Sequence, residues 1–175
     1  MDIKINYIKT KNNKINLICN NCPYKLYDTN ENIYLGQGNI NSGIAIIYKG
    51  GNYNKCKLPV EEELLSTYYN NITNRNLYED FYVTRYIKCS IVDSINYKIE
   101  NANCLNFLLR ELIKLKITKI ILIGSKLKNI SYYLKQYIPN AIIVNTISPL
   151  IIKIDKNKEN HFIKSFNNAL YNIKI

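Results

Sequence analysis

The apolar positions of this chain fall into short continuous runs separated by longer stretches with helical spacing. Ile44-Ala45-Ile46-Ile47-Tyr48 is the clearest run, entered from a turn-rich segment that begins at Ile33 and carries Gly36, Gly38, Asn39, Asn41, Ser42 and Gly43. Such a run suits a parallel strand buried on both faces. Phe81-Tyr82-Val83-Thr84 predicts a second strand, Ile117 to Ile123 a third that ends at Gly124, and Ala141 to Val144 a fourth. Between them, Leu105, Leu108, Leu109 and Leu112 recur on one helix face. Glu61 to Tyr69, Ser125 to Tyr137 (stopped before Pro139) and Glu159 to Tyr171 predict further helices, the last with Phe162, Phe166 and Leu170 on one side. Strands alternating with helices predict an α/β fold, a three-layer α/β/α sandwich around a mostly parallel four-stranded central sheet. Ligands of such sheets bind outside the carboxyl ends of the strands. Chemistry is therefore expected in the loops after Tyr48, Thr84, Gly124 and Val144.

Length and composition add limits. The 175 residues are read as a single domain spanning 1–175, and 47% hydrophobic with 21% charged residues is an ordinary globular balance. No apolar run reaches the roughly 20 residues that span a bilayer, and no signal-peptide core follows Met1, so a cytoplasmic or otherwise intracellular protein is expected, not secreted and not in a membrane. A net charge of +11 and a pI near 9.3 favour a polyanionic partner, since each cation laid on a phosphate releases condensed counterions. The abundance of Lys, Asn and Tyr also fits a plain coding bias, so the lysines are not all contacts.

Four of the five cysteines form a pattern. Cys19 and Cys22 make a C-x2-C pair; 66 residues intervene before Cys89 and 14 more before Cys104, while Cys56 stands apart as a free thiol. Four soft thiolates suit tetrahedral zinc or an iron–sulfur cluster, and spacing does not separate the two.

The flanking residues carry a resemblance. Cys19-Asn20-Asn21-Cys22-Pro23, then Gly36-Gln37-Gly38-Asn39 and the Ile44 strand, resemble the opening of the iron–sulfur uracil-DNA glycosylases, in which C-x2-C precedes a G-E-G-N turn and the first core strand. Asp80 to Cys89 is similar to the family's V-Y-I-T-N-x-x-K-C segment, Ala102-Asn103-Cys104 to its A-N-C segment, and Lys119 to Gly124 to its strand ending in glycine. The likeness runs from about residue 19 to about residue 150, in order. It implies a uracil-DNA glycosylase-like fold, a four-iron, four-sulfur cluster rather than zinc, and Cys19, Cys22, Cys89 and Cys104 as its ligands.

The same comparison fails at the family's catalytic positions. Where the family has G-E-A-P-G, with an acidic residue associated with catalysis, this chain has Tyr48-Lys49-Gly50-Gly51-Asn52. Lys49 cannot act as a base toward water and would repel a positive sugar. The aromatic of the family's P-F-V-G segment has no counterpart in Leu58-Pro59-Val60. The base-reading asparagine is matched by Arg85, after Thr84, and arginine offers only donors. The histidine of the family's H-P motif is matched by Ser148, before Pro149. Lys49, Arg85 and Ser148 are thus the candidate catalytic positions, all departing from the pattern. His161 reads as a surface helix residue, and Glu61, Glu62 and Glu63 as the acidic first turn of a helix, favoured there by its dipole.

Two functions are expected from this. The first is a binding protein that keeps the glycosylase fold and cluster as a scaffold and holds DNA, or a protein partner in a replication or repair complex (a viral one included), as a monomer or a subunit. Its basic surface would lie near Lys49, Lys55, Lys57, Arg85, Lys88 and Lys153, with the Ser148-Pro149-Leu150 loop pressed into the minor groove and Leu150 as an apolar wedge. The second is an active DNA glycosylase with a rebuilt pocket, acting on uracil or another lesion.

Overall fold

The computed structural model describes residues 7–8, 33–50, 59–88 and 104–174. Its centre is a five-stranded sheet in the order β3-β5-β4-β6-β7. The strands are β3 (Gln37–Gly38), β4 (Ile44–Gly50), β5 (Tyr82–Ile87), β6 (Lys119–Ile123) and β7 (Ile142–Thr146). The last four run parallel, with Ile46 opposite Val83 and Ile121, and Ile121 opposite Val144. A separate short ladder pairs β1 (Tyr7–Ile8) with β2 (Ile33–Tyr34) antiparallel.

The expectation of four mostly parallel strands is corrected by β3, which pairs antiparallel with β5 at the sheet edge, Gln37 opposite Val83. Glycine makes that pairing fit. A Cβ on Gly36 would lie 2.5 Å from the Val83 carbonyl oxygen, and one on Gly38, at φ +101°, would lie 2.3 Å from that of Phe81. Only a residue without a side chain lets the two backbones approach so closely.

Alternation along the strands supplies a core on each face. Ala45, Ile47, Ile120 and Leu122 pack with Leu108 and Leu112 of α3 (Leu105–Lys114) and with Ile130 and Leu134 of α4 (Ile130–Tyr137). Ile46, Tyr48, Ile121 and Ile123 pack on the other face with Leu65 and Tyr69 of α1 (Val60–Thr73), Leu77 of α2 (Leu77–Asp80), and Phe162 and Phe166 of α6 (Glu159–Lys174). Helices on both faces make a three-layer α/β arrangement. No helix among the described residues is long and apolar enough to cross a membrane.

Local signals set the element ends that matter for the site. α1 starts after Pro59 with Glu61, Glu62 and Glu63 in its first turn, where negative charge meets the helix dipole, and ends at Asn74 in the left-handed conformation. The run expected to form one helix from Ser125 to Tyr137 is instead a 3-10 turn over Ser125–Leu127 followed by α4. Gly124, at φ +94°, makes the break out of β6. A five-residue helix, α5 (Leu150–Ile154), begins directly after Pro149.

Candidate functional site

The parallel strands end on one side of the sheet, and a cleft of about 250 Å³ opens there, lined by Tyr48, Lys49, Gly50, Pro59, Val60, Glu61 and Leu150. Two strand ends and the start of α1 build it. β4 delivers Lys49, half-buried, at its penultimate position, and Gly50, at φ +71°, ends the strand and bends the chain away. A Cβ at Gly50 would fall 2.8 Å from Cδ of Arg85, so glycine keeps this bend seated on the Arg85 stem. After β7, the Ser148-Pro149-Leu150 corner supplies the opposite wall.

Glu61 joins the two walls. The Ser148 hydroxyl donates to Glu61 Oε1 and accepts from the Leu150 backbone N–H at 3.3 Å, which fixes the direction of its proton. Burial pushes the Glu61 carboxyl above its ordinary range; the Ser148 hydrogen bond and the Lys49 charge work against that push without cancelling it. The cleft therefore holds a cation, a hydroxyl and a carboxyl biased toward its neutral form. An upward shift raises the fraction of protonated carboxyl at a given pH, and the protonated form is the one that can act as an acid.

This bias has a testable sign. A carboxyl whose folded pKa exceeds its unfolded one contributes stability that is complete below the unfolded value and lost as pH rises through the folded value. Glu61→Gln removes the ionisation. Relative to the wild type, the variant is expected to gain urea resistance as pH rises from about 4.5, the ordinary value for glutamate, to 7.5. A difference that stays flat across that range would show that Glu61 titrates normally.

The sequence-derived candidates distribute unevenly. Lys49 and Leu150 line the cleft, and Ser148 reaches it through Glu61. Pro149 is buried in the corner, Leu150 is 37% exposed at the rim, and Lys153 is exposed on α5. Arg85 is 1% exposed, sits under Gly50 and is not among the described residues that line the cleft, so its expected place on a basic surface does not hold. Lys88 is likewise corrected as a phosphate contact. It is 2% exposed, paired with Glu111 and bonded to Thr84 Oγ1 at 2.7 Å, because β5 ends beneath α3 and carries the ammonium inward. Thr84 is committed to the same network, donating to Glu111 Oε1 at 3.0 Å. His161 is exposed on α6, as expected. Lys55, Lys57, Cys19, Cys22 and Cys89 lie outside the described residues.

In the sequence Glu61 reads as one of three acids that satisfy a helix dipole, not as a site residue. Its separation from Ser148 by 87 positions leaves no local pattern to find.

Of the four proposed cluster ligands, Cys104 is described. It is a buried thiol, 8% exposed, that opens α3, and it interacts electrostatically with Lys88, the residue before Cys89. Cys104 is a buried soft donor of the kind a zinc ion or an iron–sulfur cluster takes, so the described residue fits the expected group.

Comparison with known proteins returns no matching family model and no matching curated protein.

Proposed function

We propose that the chain is a uracil-DNA glycosylase-fold protein that binds DNA through the cleft at the strand ends, with standard uracil excision lost or altered. Cys19, Cys22, Cys89 and Cys104 would hold a four-iron, four-sulfur cluster, which would tie the amino-terminal segment to the start of α3. The observation that carries the binding reading is the lysine at the end of β4. A strand-end carboxylate could orient an attacking water and steady a positive sugar; Lys49 does neither, and a half-buried ammonium on a cleft wall suits a phosphate. The net charge of +11 supports the same partner. A subunit of a replication or repair complex is the concrete setting.

The Glu61–Ser148 pair favours a second reading, a glycosylase with a rebuilt pocket. On that reading the bond between the base and C1′ breaks with its electron pair leaving on the base, Glu61 passes its proton to that base, and a water adds to C1′ and releases a proton to solvent. The proton would replace the positive charge that the family's histidine offers the departing base. Ser148 would position Glu61.

A single-turnover assay on single- and double-stranded DNA carrying one uracil separates the two. DNA retained without cleavage is the result expected of the binding reading. Cleavage that falls on Glu61→Gln, by the 10²- to 10⁴-fold typical of a lost general acid, would establish the rebuilt enzyme instead. Protein that neither binds nor cleaves either DNA would overturn both.

A further inference from the structure

The stretch between Glu111 and Asp155 contains seven lysines and not one aspartate or glutamate. Three of these lysines fall on α4 or in the turn before it, Lys126, Lys128 and Lys135. Near the cleft, the turn that leads into α4 presents Lys126 and Lys128, both exposed. A Cβ on Gly124, where the turn starts, would lie 3.5 Å from Cβ of Ser148, so the basic turn abuts the corner that carries the Glu61–Ser148 pair.

From there α4 runs back along the outside of the sheet. Ile130 and Leu134 hold it to the core, and its outer face carries Tyr132, Tyr133 and Tyr137, exposed to 66%, 47% and 60%. Tyr133 and Tyr137 are four residues apart on α4, about 6 Å along its axis on one face, and Lys128 lies in the turn two residues before the helix. Tyr132 and Tyr133 stand edge to face, centroids 5.7 Å apart at 78°. Large aromatic side chains left in water on a helix already anchored by two aliphatic residues add nothing to the core. Lys135, between the tyrosines, donates to the Ala141 carbonyl, but Lys126 and Lys128 just before them are exposed. Aromatic faces beside exposed lysines are what an unpaired nucleic-acid strand needs: cations for the backbone and flat surfaces for bases free to stack.

We infer that the outer face of α4, with the Lys126–Lys128 turn, is a platform for single-stranded nucleic acid leading to the cleft. The inference rests on the nucleic-acid reading above and specifies its substrate as a single strand. A duplex hides its base faces inside the stack and so offers the exposed tyrosine rings nothing to stack on. The strand's phosphates would pass Lys126 and Lys128 while its bases stack on Tyr132 and Tyr133.

The test is anisotropy with a fluorescein-labelled oligothymidylate of roughly 15 nucleotides, titrated at several salt concentrations with the full chain. Tyr132→Ala/Tyr133→Ala is expected to weaken binding by about tenfold or more at unchanged salt slope. Tyr132→Phe/Tyr133→Phe, which keeps the stacking faces, should bind as the wild type does. Lys126→Gln/Lys128→Gln should lower the slope of log K against log salt by about 1.4, at about 0.7 for each released counterion. Tyr171→Ala alters an equally exposed tyrosine on α6, on the opposite face of the sheet, and should change nothing. Wild-type binding that survives the alanine pair, or that falls as much with Tyr171→Ala, would overturn the platform and leave the DNA-binding reading standing. A wild type that binds neither the oligonucleotide nor a duplex would remove both.

Discussion

Glu111→Ala is expected to destabilise the fold by about 3–5 kcal/mol, read as a shift of the urea midpoint, because it leaves a buried ammonium without its carboxylate. Glu111 extends from α3 to the sheet and gathers donors from separate elements. The Tyr82 hydroxyl reaches it from β5 and Lys88 Nζ from the residue after that strand, Thr84 Oγ1 donates to it at 3.0 Å, and the backbone N–H of Gly36, just before β3, donates at 2.9 Å. The side chains of Lys88 and Glu111 are 2% and 7% exposed, so water cannot replace the lost partner. A cycle distinguishes the worth of the pair from the cost of breaking it. Lys88→Met/Glu111→Leu removes both charges and should recover most of the loss, since exchanging a buried ion pair for apolar groups is commonly neutral or stabilising. If Glu111→Ala costs less than about 1 kcal/mol, the pair is wetter than its burial implies. The network also lies between two proposed ligand positions, Lys88 preceding Cys89 and α3 following Cys104. On the proposed cluster reading, the single variant should therefore retain less iron than the double variant.

β4 and β6 are legible because their sequence signal is dense. A strand covered on both faces must be apolar at nearly every position, and Ile44 to Tyr48 or Ile120 to Ile123 can be read without knowing their neighbours. The edge strand β3 had no such signal. It is two residues long and half glycine, and its existence depends on how closely Gly36 and Gly38 let the backbone approach β5. The polar residues were misread for a related reason. A lysine following a strand is ordinarily solvated, and what buries Lys88 is a glutamate 23 positions later that reaches the sheet only after α3 has formed. The cleft was legible in outline, since ligand sites at strand carboxyl ends follow from the architecture. Its composition was legible for Lys49 and Ser148, which occupy positions picked out by the resemblance. It is not legible for Glu61, whose place in a first helical turn is fully accounted for by the helix dipole. Local explanations suffice for residues whose partners are local, and they fail at a site assembled from α1 and the corner after β7.

Glu62→Ala is expected to cost about 2–4 kcal/mol and to disturb the cleft without touching it. Glu62 is fully buried in the first turn of α1, and its carboxylate accepts from Gln37 Nε2 on β3, from the Tyr48 hydroxyl on β4 and from the Tyr78 hydroxyl on α2 at 2.9 Å. Hydrogen bonds to a charged acceptor are stronger than neutral ones, and here they bind α1 to three other elements at the turn that aims Glu61 into the cleft. Glu62→Gln keeps a carbonyl acceptor in nearly the same place, so its cost should be smaller, although its amide also brings donors toward two hydroxyls. Tyr48→Phe in the Glu62→Ala background should relieve part of the loss, because it removes a buried hydroxyl that depended on the carboxylate. The effect on the site is separable from the effect on stability. If Glu62 positions Glu61, then in the Glu62→Ala background the extra substitution Glu61→Gln no longer produces the pH-dependent gain expected of it alone, because a first turn released from the sheet lets the Glu61 carboxyl meet water and titrate normally. If the gain persists in full, Glu62 is a packing residue of α1, and the Ser148 hydrogen bond holds Glu61 in the cleft by itself.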